Sequence, residues 1–136
     1  MEQVEEGRLR KVVSIEDDET MIDLLKVILE GSGYQVFGAL SGQEGLALIE
    51  ETQPDVVLLD IMMPGMDGWQ VFQRMRSTAS MARIPVIMVT AKAQPIDKLL
   101  AEKVAKVDAY IVKPFSPREL KQGIDKVLSD GMKVTT

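Results

Sequence analysis

Val56-Val57-Leu58-Leu59-Asp60-Ile61-Met62-Met63-Pro64-Gly65 is the stretch that decides the fold. Four apolar residues run straight into a carboxylate. Pro54 bounds the run on one side and Pro64-Gly65 on the other, so it fits a strand. A strand apolar at every position is buried on both faces. Such strands belong to parallel sheets covered by helices on each side. Asp60 then sits where the strand leaves the sheet, and in open α/β sheets that carboxyl edge is where ligands bind. Asp60 is therefore the first candidate site residue, and the other strand ends are where its partners should lie.

The 136 residues suit one domain, large enough to bury a core without staples. Hydrophobic content of 46% and charged content of 27% are an ordinary soluble balance. There is no Cys, which excludes disulfides and thiolate metal sites. There is no His, which removes most zinc sites, Ser-His-Asp catalysis and any histidine phosphate relay carried on this chain. The net charge of −5 argues against a nucleic-acid-binding surface. No apolar run approaches the ~18–20 residues of a membrane span. Met1 to Arg10 is polar and charged and does not read as a signal peptide. The expected compartment is the cytoplasm, with no direct nucleic-acid or membrane partner.

The remaining segments alternate. Residues 1–10 read as a polar leader. Val12–Ile15 is a short strand that ends in Glu16-Asp17-Asp18. A helix from Glu19 to about Glu30 carries Met21, Leu25, Ile28 and Leu29 on one face, and Gly31-Ser32-Gly33 stops it. Tyr34–Phe37 suits a second strand. Ser41 and Glu44 have capping-box spacing and open a helix to about Glu51. Asp55–Leu59 is the third strand, and Asp67 precedes a third helix with Val71, Phe72 and Met75 inward. Pro85–Val89 is the fourth strand, ending at Thr90. Pro95 starts a fourth helix bearing Ile96, Leu99, Leu100 and Val104. Ala109–Val112 is the fifth strand, ending at Lys113-Pro114. Ser116 and Glu119 form another capping box, with Pro117 at the first helical position. The last helix presents Leu120, Ile124, Val127 and Leu128, and residues 130–136 read as a tail. This βα alternation implies a parallel sheet with right-handed crossovers and helices on both faces.

Four strand ends carry reactive-type residues: Asp17-Asp18, Asp60, Thr90 and Lys113. A parallel sheet brings all four to one edge. Each has a plain explanation alone: a helix cap, an Asx turn, a β-former, a solvated lysine. Together they are harder to explain as separate accidents. Three carboxylates ~4 Å apart repel by about 4 kcal/mol per pair at an effective dielectric near 20. Protons or a cation must offset this, and an oxygen-only site suits Mg²⁺. Lys113 supplies a point charge for a phosphoryl oxygen and Thr90 a hydroxyl donor. Those parts serve phosphoryl transfer, with Asp60 as nucleophile.

At this point the chain resembles a known family. Val12–Glu19 (VVSIEDDE), Val56–Gly68 (VVLLDIMMPGMDG), Pro85–Lys92 (PVIMVTAK) and Ala109–Phe115 (AYIVKPF) are similar to the motifs of receiver domains. These are the phosphoacceptor modules of two-component response regulators. The resemblance covers roughly residues 10–129 and implies a receiver domain over 11–129. It implies a flavodoxin-like (βα)5 doubly wound α/β fold with strand order 2-1-3-4-5, a signalling module rather than an enzyme. It implies Asp60 as the phosphorylation site, Asp18 as direct Mg²⁺ ligand, Asp17 as a ligand through water, and the backbone carbonyl of Met62 at the metal. Thr90 and Lys113 match the hydroxyl and lysine that hold the phosphoryl group, and Lys113-Pro114 the family's cis peptide. Tyr110 matches the aromatic switch residue. The implied partners are a sensor histidine kinase or His phosphotransfer protein, and a downstream protein reading the surface of the fourth helix, fifth strand and fifth helix.

The sequence also departs from the family. Lys106-Val107 stands where a Gly-Ala pair is frequent, and a left-handed Lys106 costs roughly 1 kcal/mol more than Gly. The fourth helix has Gln94 before Pro95 and no Ser/Thr/Asp cap, so it should be the least stable of the five. Met62 and Lys92, each two residues after a site residue, should flank the path of an attacking water and lengthen the phosphoryl lifetime. The alternatives are a Mg²⁺-dependent phosphohydrolase with an aspartyl nucleophile and a flavin-binding domain. The first lacks a second acid at position 62, and the second would have to seat a phosphate against Glu16-Asp17-Asp18.

Overall fold

A computed structural model describes residues 9–92 and 94–134. Five parallel strands form one sheet in the order β2-β1-β3-β4-β5. They are β1 (Arg10–Ile15), β2 (Tyr34–Ala39), β3 (Val56–Leu59), β4 (Val86–Thr90) and β5 (Ala109–Val112). The helices are α1 (Glu19–Glu30), α2 (Gly42–Thr52), α3 (Gly68–Arg76), α4 (Pro95–Leu99) and α5 (Pro117–Val134). This is the flavodoxin-like (βα)5 fold expected from the sequence. The leader reading falls mostly on residues outside the described range, as does the end of the tail. Arg10 is already in β1, and α5 runs on to Val134, through most of what the sequence reading takes as a tail from residue 130.

Alternation along each central strand builds two cores. Val13, Val57, Leu59 and Met88 join Ile49, Val71, Phe72 and Met75 on the face covered by α2 and α3. Val12, Val56, Leu58, Ile87 and Val89 join Leu25, Leu29, Leu120 and Ile124 on the face covered by α1 and α5. β3 is buried at all four positions, so the sheet must be covered on both sides. Helix starts are set by side chains. Asp67 and Gln70 form a reciprocal capping box at α3, and Ser116 and Glu119 another at α5. At α2, Ser41 accepts from Glu44 N, while Glu44 reaches back to Leu40 N rather than to Ser41.

The segment after β4 differs from the sequence reading. Five residues of α4 pass into a π-helical stretch, Leu100–Ala105. Ile96, Leu99, Leu100 and Val104 are exposed, and Ala101 is the one buried side chain of the whole segment. Gln94 makes no side-chain cap. Lys106 closes the segment in the left-handed region at φ 62°, where glycine would be favoured. Little burial, no cap and a strained end agree with a weak helix.

Two aspartates that the sequence reading passed over fasten the amino ends of neighbouring strands. Asp55, just before β3, accepts from Lys11 N at 2.7 Å. Asp108, just before β5, accepts from Val86 N at 2.7 Å and lies 3.5 Å from Arg76. Arg76 also donates to the Ala82 and Ile84 carbonyls and lies over the Phe72 ring. Asp108→Ala leaves Val86 N without its acceptor. It should lower unfolding stability by about 1–3 kcal/mol, measured by urea denaturation. A midpoint equal to that of the parent would show that water replaces the carboxylate without cost.

Candidate phosphoacceptor site

The carboxyl edge of the sheet gathers the side chains that matter. Asp60 directly follows β3, and its N–H donates to Ile15 O at 3.1 Å, so it lies beside the end of β1. Glu16, next after Ile15, is held in the same way by its N–H to Ala39 O at 3.0 Å. Lys113 follows β5 and its N–H donates to Thr90 O at 2.9 Å. These bonds continue the strand ladders by one residue and fix where each side chain starts. The Lys113–Pro114 peptide is cis.

Lys113 Nζ reaches two carboxylates, Glu16 Oε1 at 2.5 Å and Asp60 Oδ2 at 3.1 Å. All three side chains are largely buried. Asp60 Oδ1 accepts from Met62 N at 3.0 Å. Burial pushes the Glu16 carboxyl above the usual carboxylate range, and the neighbouring Asp60 charge adds to this against the opposing pull of Lys113. Burial alone lowers the Lys113 ammonium. The hydrogen bond to Glu16 and the two carboxylate charges outweigh that and hold it above the ordinary lysine value.

Glu16, Asp17 and Asp60 each present a ligand oxygen, and these lie within 4.8 Å of one another. Asp17 is the exposed member and the other two are buried. Three carboxylates against one ammonium leave an excess of negative charge. The donor set is all oxygen, so it fits a hard divalent cation such as Mg²⁺.

Asp18 does not join this group. Its Oδ1 accepts from Thr20 N at 3.0 Å and Met21 N at 3.4 Å, which makes it the N-cap of α1. The structure thus places Asp18, the expected direct ligand, at the helix cap and not with Glu16, Asp17 and Asp60. β1 stops at Ile15, so Glu16 and Asp17 occupy the edge and the third acid is committed to the helix. Glu16 is the site residue that sequence reasoning missed. Its signal was the acid triplet itself, which does not mark which two members face the pocket.

Thr90 is fully buried, and its Oγ1 accepts from Lys92 N at 3.3 Å. Tyr110 is turned inward, and its hydroxyl donates to Lys92 O at 2.8 Å. The backbone of one residue, Lys92, thus contacts both. The Lys92 ammonium lies 3.7 Å from Asp97. Met62 is 54% exposed, and with Ile61, Trp69 and Lys92 it lines a cleft of about 490 Å³.

The receiver domain model of response regulators matches residues 12–125. The chain belongs to the response regulator receiver domain family. Solved receivers agree with it closely. A receiver domain protein from Methanospirillum hungatei is 34% identical, with a TM-score of 0.81 over 92% of this chain and 98% of that one. A response regulator from Chloroflexus aurantiacus is 31% identical, with a TM-score of 0.83 over 90% and 99%. The chemotaxis protein CheY4 of Vibrio cholerae is 28% identical, with a TM-score of 0.80 over 88% and 98%. As a receiver, the chain is a signalling module of a two-component phosphorelay rather than an enzyme. Its family works with a histidine kinase or phosphotransfer protein. No helix among the described residues is long and apolar enough to cross a membrane.

Lys113→Met leaves two buried carboxylates facing each other without their ammonium. The variant should lose about 3 kcal/mol of unfolding stability. Added Mg²⁺ should restore more stability in it than it adds to the parent, measured by urea melts with and without the ion. Equal increments in the two proteins would show that the carboxylates do not share a cation site.

Proposed function

We propose that Asp60 takes a phosphoryl group from a phosphohistidine of a sensor kinase or phosphotransfer protein. The observation that carries this is Lys113 Nζ, 3.1 Å from Asp60 Oδ2, inside a cluster of acids. An Asp60 carboxylate oxygen forms the new P–O bond as the donor's P–N bond breaks, and the electron pair leaves with the imidazole. Lys113 is already placed to neutralise a phosphoryl oxygen and needs only to release one of its two carboxylates. Glu16, Asp17, Asp60 and the backbone carbonyl of Met62 would hold Mg²⁺, which when bound supplies positive charge for the phosphoryl oxygens. In this assignment Asp17 and Glu16 replace the Asp18 and Asp17 suggested by sequence. The hydrolase alternative finds no second acid, since an exposed thioether stands at position 62.

The added charge of about −1.5 to −2 draws Thr90 Oγ1 toward it and away from Lys92 N. Tyr110 follows through the Lys92 carbonyl. The segment from Pro95 to Ala105, already short of packing, and the adjoining β5 and α5 form the surface that a downstream protein reads. The phosphoryl group biases a two-state equilibrium that exists without it.

Incubation with Mg²⁺ and acetyl phosphate, followed by intact-mass and peptide analysis, should give a single phosphoryl adduct at Asp60, lost in Asp60→Asn. An adduct that persists in Asp60→Asn would sink the assignment. Lifetime is a separate matter. Met62 cannot orient water, and Lys92 can pair with phosphoryl oxygens once released from Asp97. Phosphoryl loss should be severalfold faster in Met62→Asn and in Lys92→Ala, followed by the decay of the adduct after the donor is removed. Unchanged decay in both would mean that these side chains simply face solvent.

A further inference from the structure

We infer that Gly68, at the first turn of α3, is a positioning residue for Asp60. The inference rests on the proposed role of Asp60. Gly68 is buried, and its N–H donates to Ile61 O at 3.0 Å. A Cβ built on it would lie 2.3 Å from Asp60 O and 2.7 Å from Ile61 Cα. Both atoms are backbone, so no flexible side chain can turn aside. The gap is about 1 Å short of ordinary van der Waals contact.

The start of α3 therefore rests directly on the peptide that carries the phosphoacceptor. The Asp67–Gln70 capping box fixes where the helix begins. Gly68 then lets that helix end approach until it touches Asp60 and Ile61. From Asp60 to Gly68 the chain is a closed loop, pinned at Asp60 by the ladder bond to Ile15 and at Gly68 by the bond to Ile61. Within it the Asp60 carboxylate is aimed by two contacts, Met62 N on Oδ1 and Lys113 on Oδ2. Any side chain at position 68 must lift α3 or displace the end of β3, and either movement turns Asp60 away from Lys113.

Helix propensity pulls the other way. Alanine is the better helix former, so a Gly68 present only as a helix residue would be improved by the change. A positioning role gives the opposite outcome in chemistry. Displacing a reacting group by 1 Å costs on the order of 10²-fold in rate. Gly68→Ala in the full chain should acquire its adduct from acetyl phosphate and Mg²⁺ about 10²-fold more slowly than the parent. Its thermal melt should stay cooperative. Its Met62 amide resonance, which reports the bond to Asp60 Oδ1 without any phosphoryl chemistry, should shift.

A folded Gly68→Ala with the parent's rate and an unmoved Met62 amide overturns the inference. A parent protein that takes no phosphoryl group overturns the reading of Asp60, and this inference with it. Should Gly68→Ala fail to fold, Asp67→Ala loosens the same joint from the capping side without a clash. Its rate should fall severalfold with a shifted Met62 amide, and a parent-like rate overturns the inference there too.

Discussion

Two buried carboxylates share one ammonium, and the architecture can be understood as the means of bringing them to it. Strand β3 lies beside β1, so Asp60 and Glu16 start from adjacent strand ends. Lys113 starts from β5, two strand spacings from β3, about 10 Å across the sheet. Only a long cationic side chain crosses that distance over the end of β4. The ladder bonds of Asp60, Glu16 and Lys113 extend the sheet by one residue at its carboxyl edge, so the backbone that aims each charge is as well held as the sheet. The resulting pair of interactions is a poor source of stability, because desolvation offsets most of the attraction. On the proposed reading, its value lies in holding charge ready for a ligand.

The strands were legible because their burial is extreme. β3 and β4 are buried at every position, and a short run of that kind between prolines has few other readings. Helix starts were legible because capping is local chemistry: Ser41, Asp67 and Ser116 all accept from the amide three residues on. The triplet Glu16-Asp17-Asp18 did not disclose which of its members share the edge with Asp60. Periodicity locates a strand but not its last residue, and here one residue separates an acid at the edge from a helix cap. Leu99, Leu100 and Val104 were placed on one continuous helix, yet after Leu99 the chain passes into a wide π-helical turn, and all three lie at the surface. Nothing in residue spacing distinguishes such a turn from an α-helix.

Contacts that depend on backbone proximity were also hidden. Gly68 reads in sequence as an unremarked helix start, and its closeness to Asp60 becomes visible only when both segments are folded. Arg76 and Asp108 are similar: apart, each is an ordinary surface charge, and together they join α3, the loop before β4 and the start of β5. Local chemistry is written in local sequence, whereas a contact across the fold is written in neither partner alone.

The backbone of Lys92 touches Thr90 through its N–H and Tyr110 through its carbonyl. Neither bond involves the lysine side chain, which points instead toward Asp97 and the cleft by Met62. On the proposed reading, what passes the signal from Thr90 to Tyr110 is main chain, and what tunes the lifetime of the phosphoryl group is side chain. A substitution at position 92 would then alter how long a message persists and spare the wording in which it is delivered.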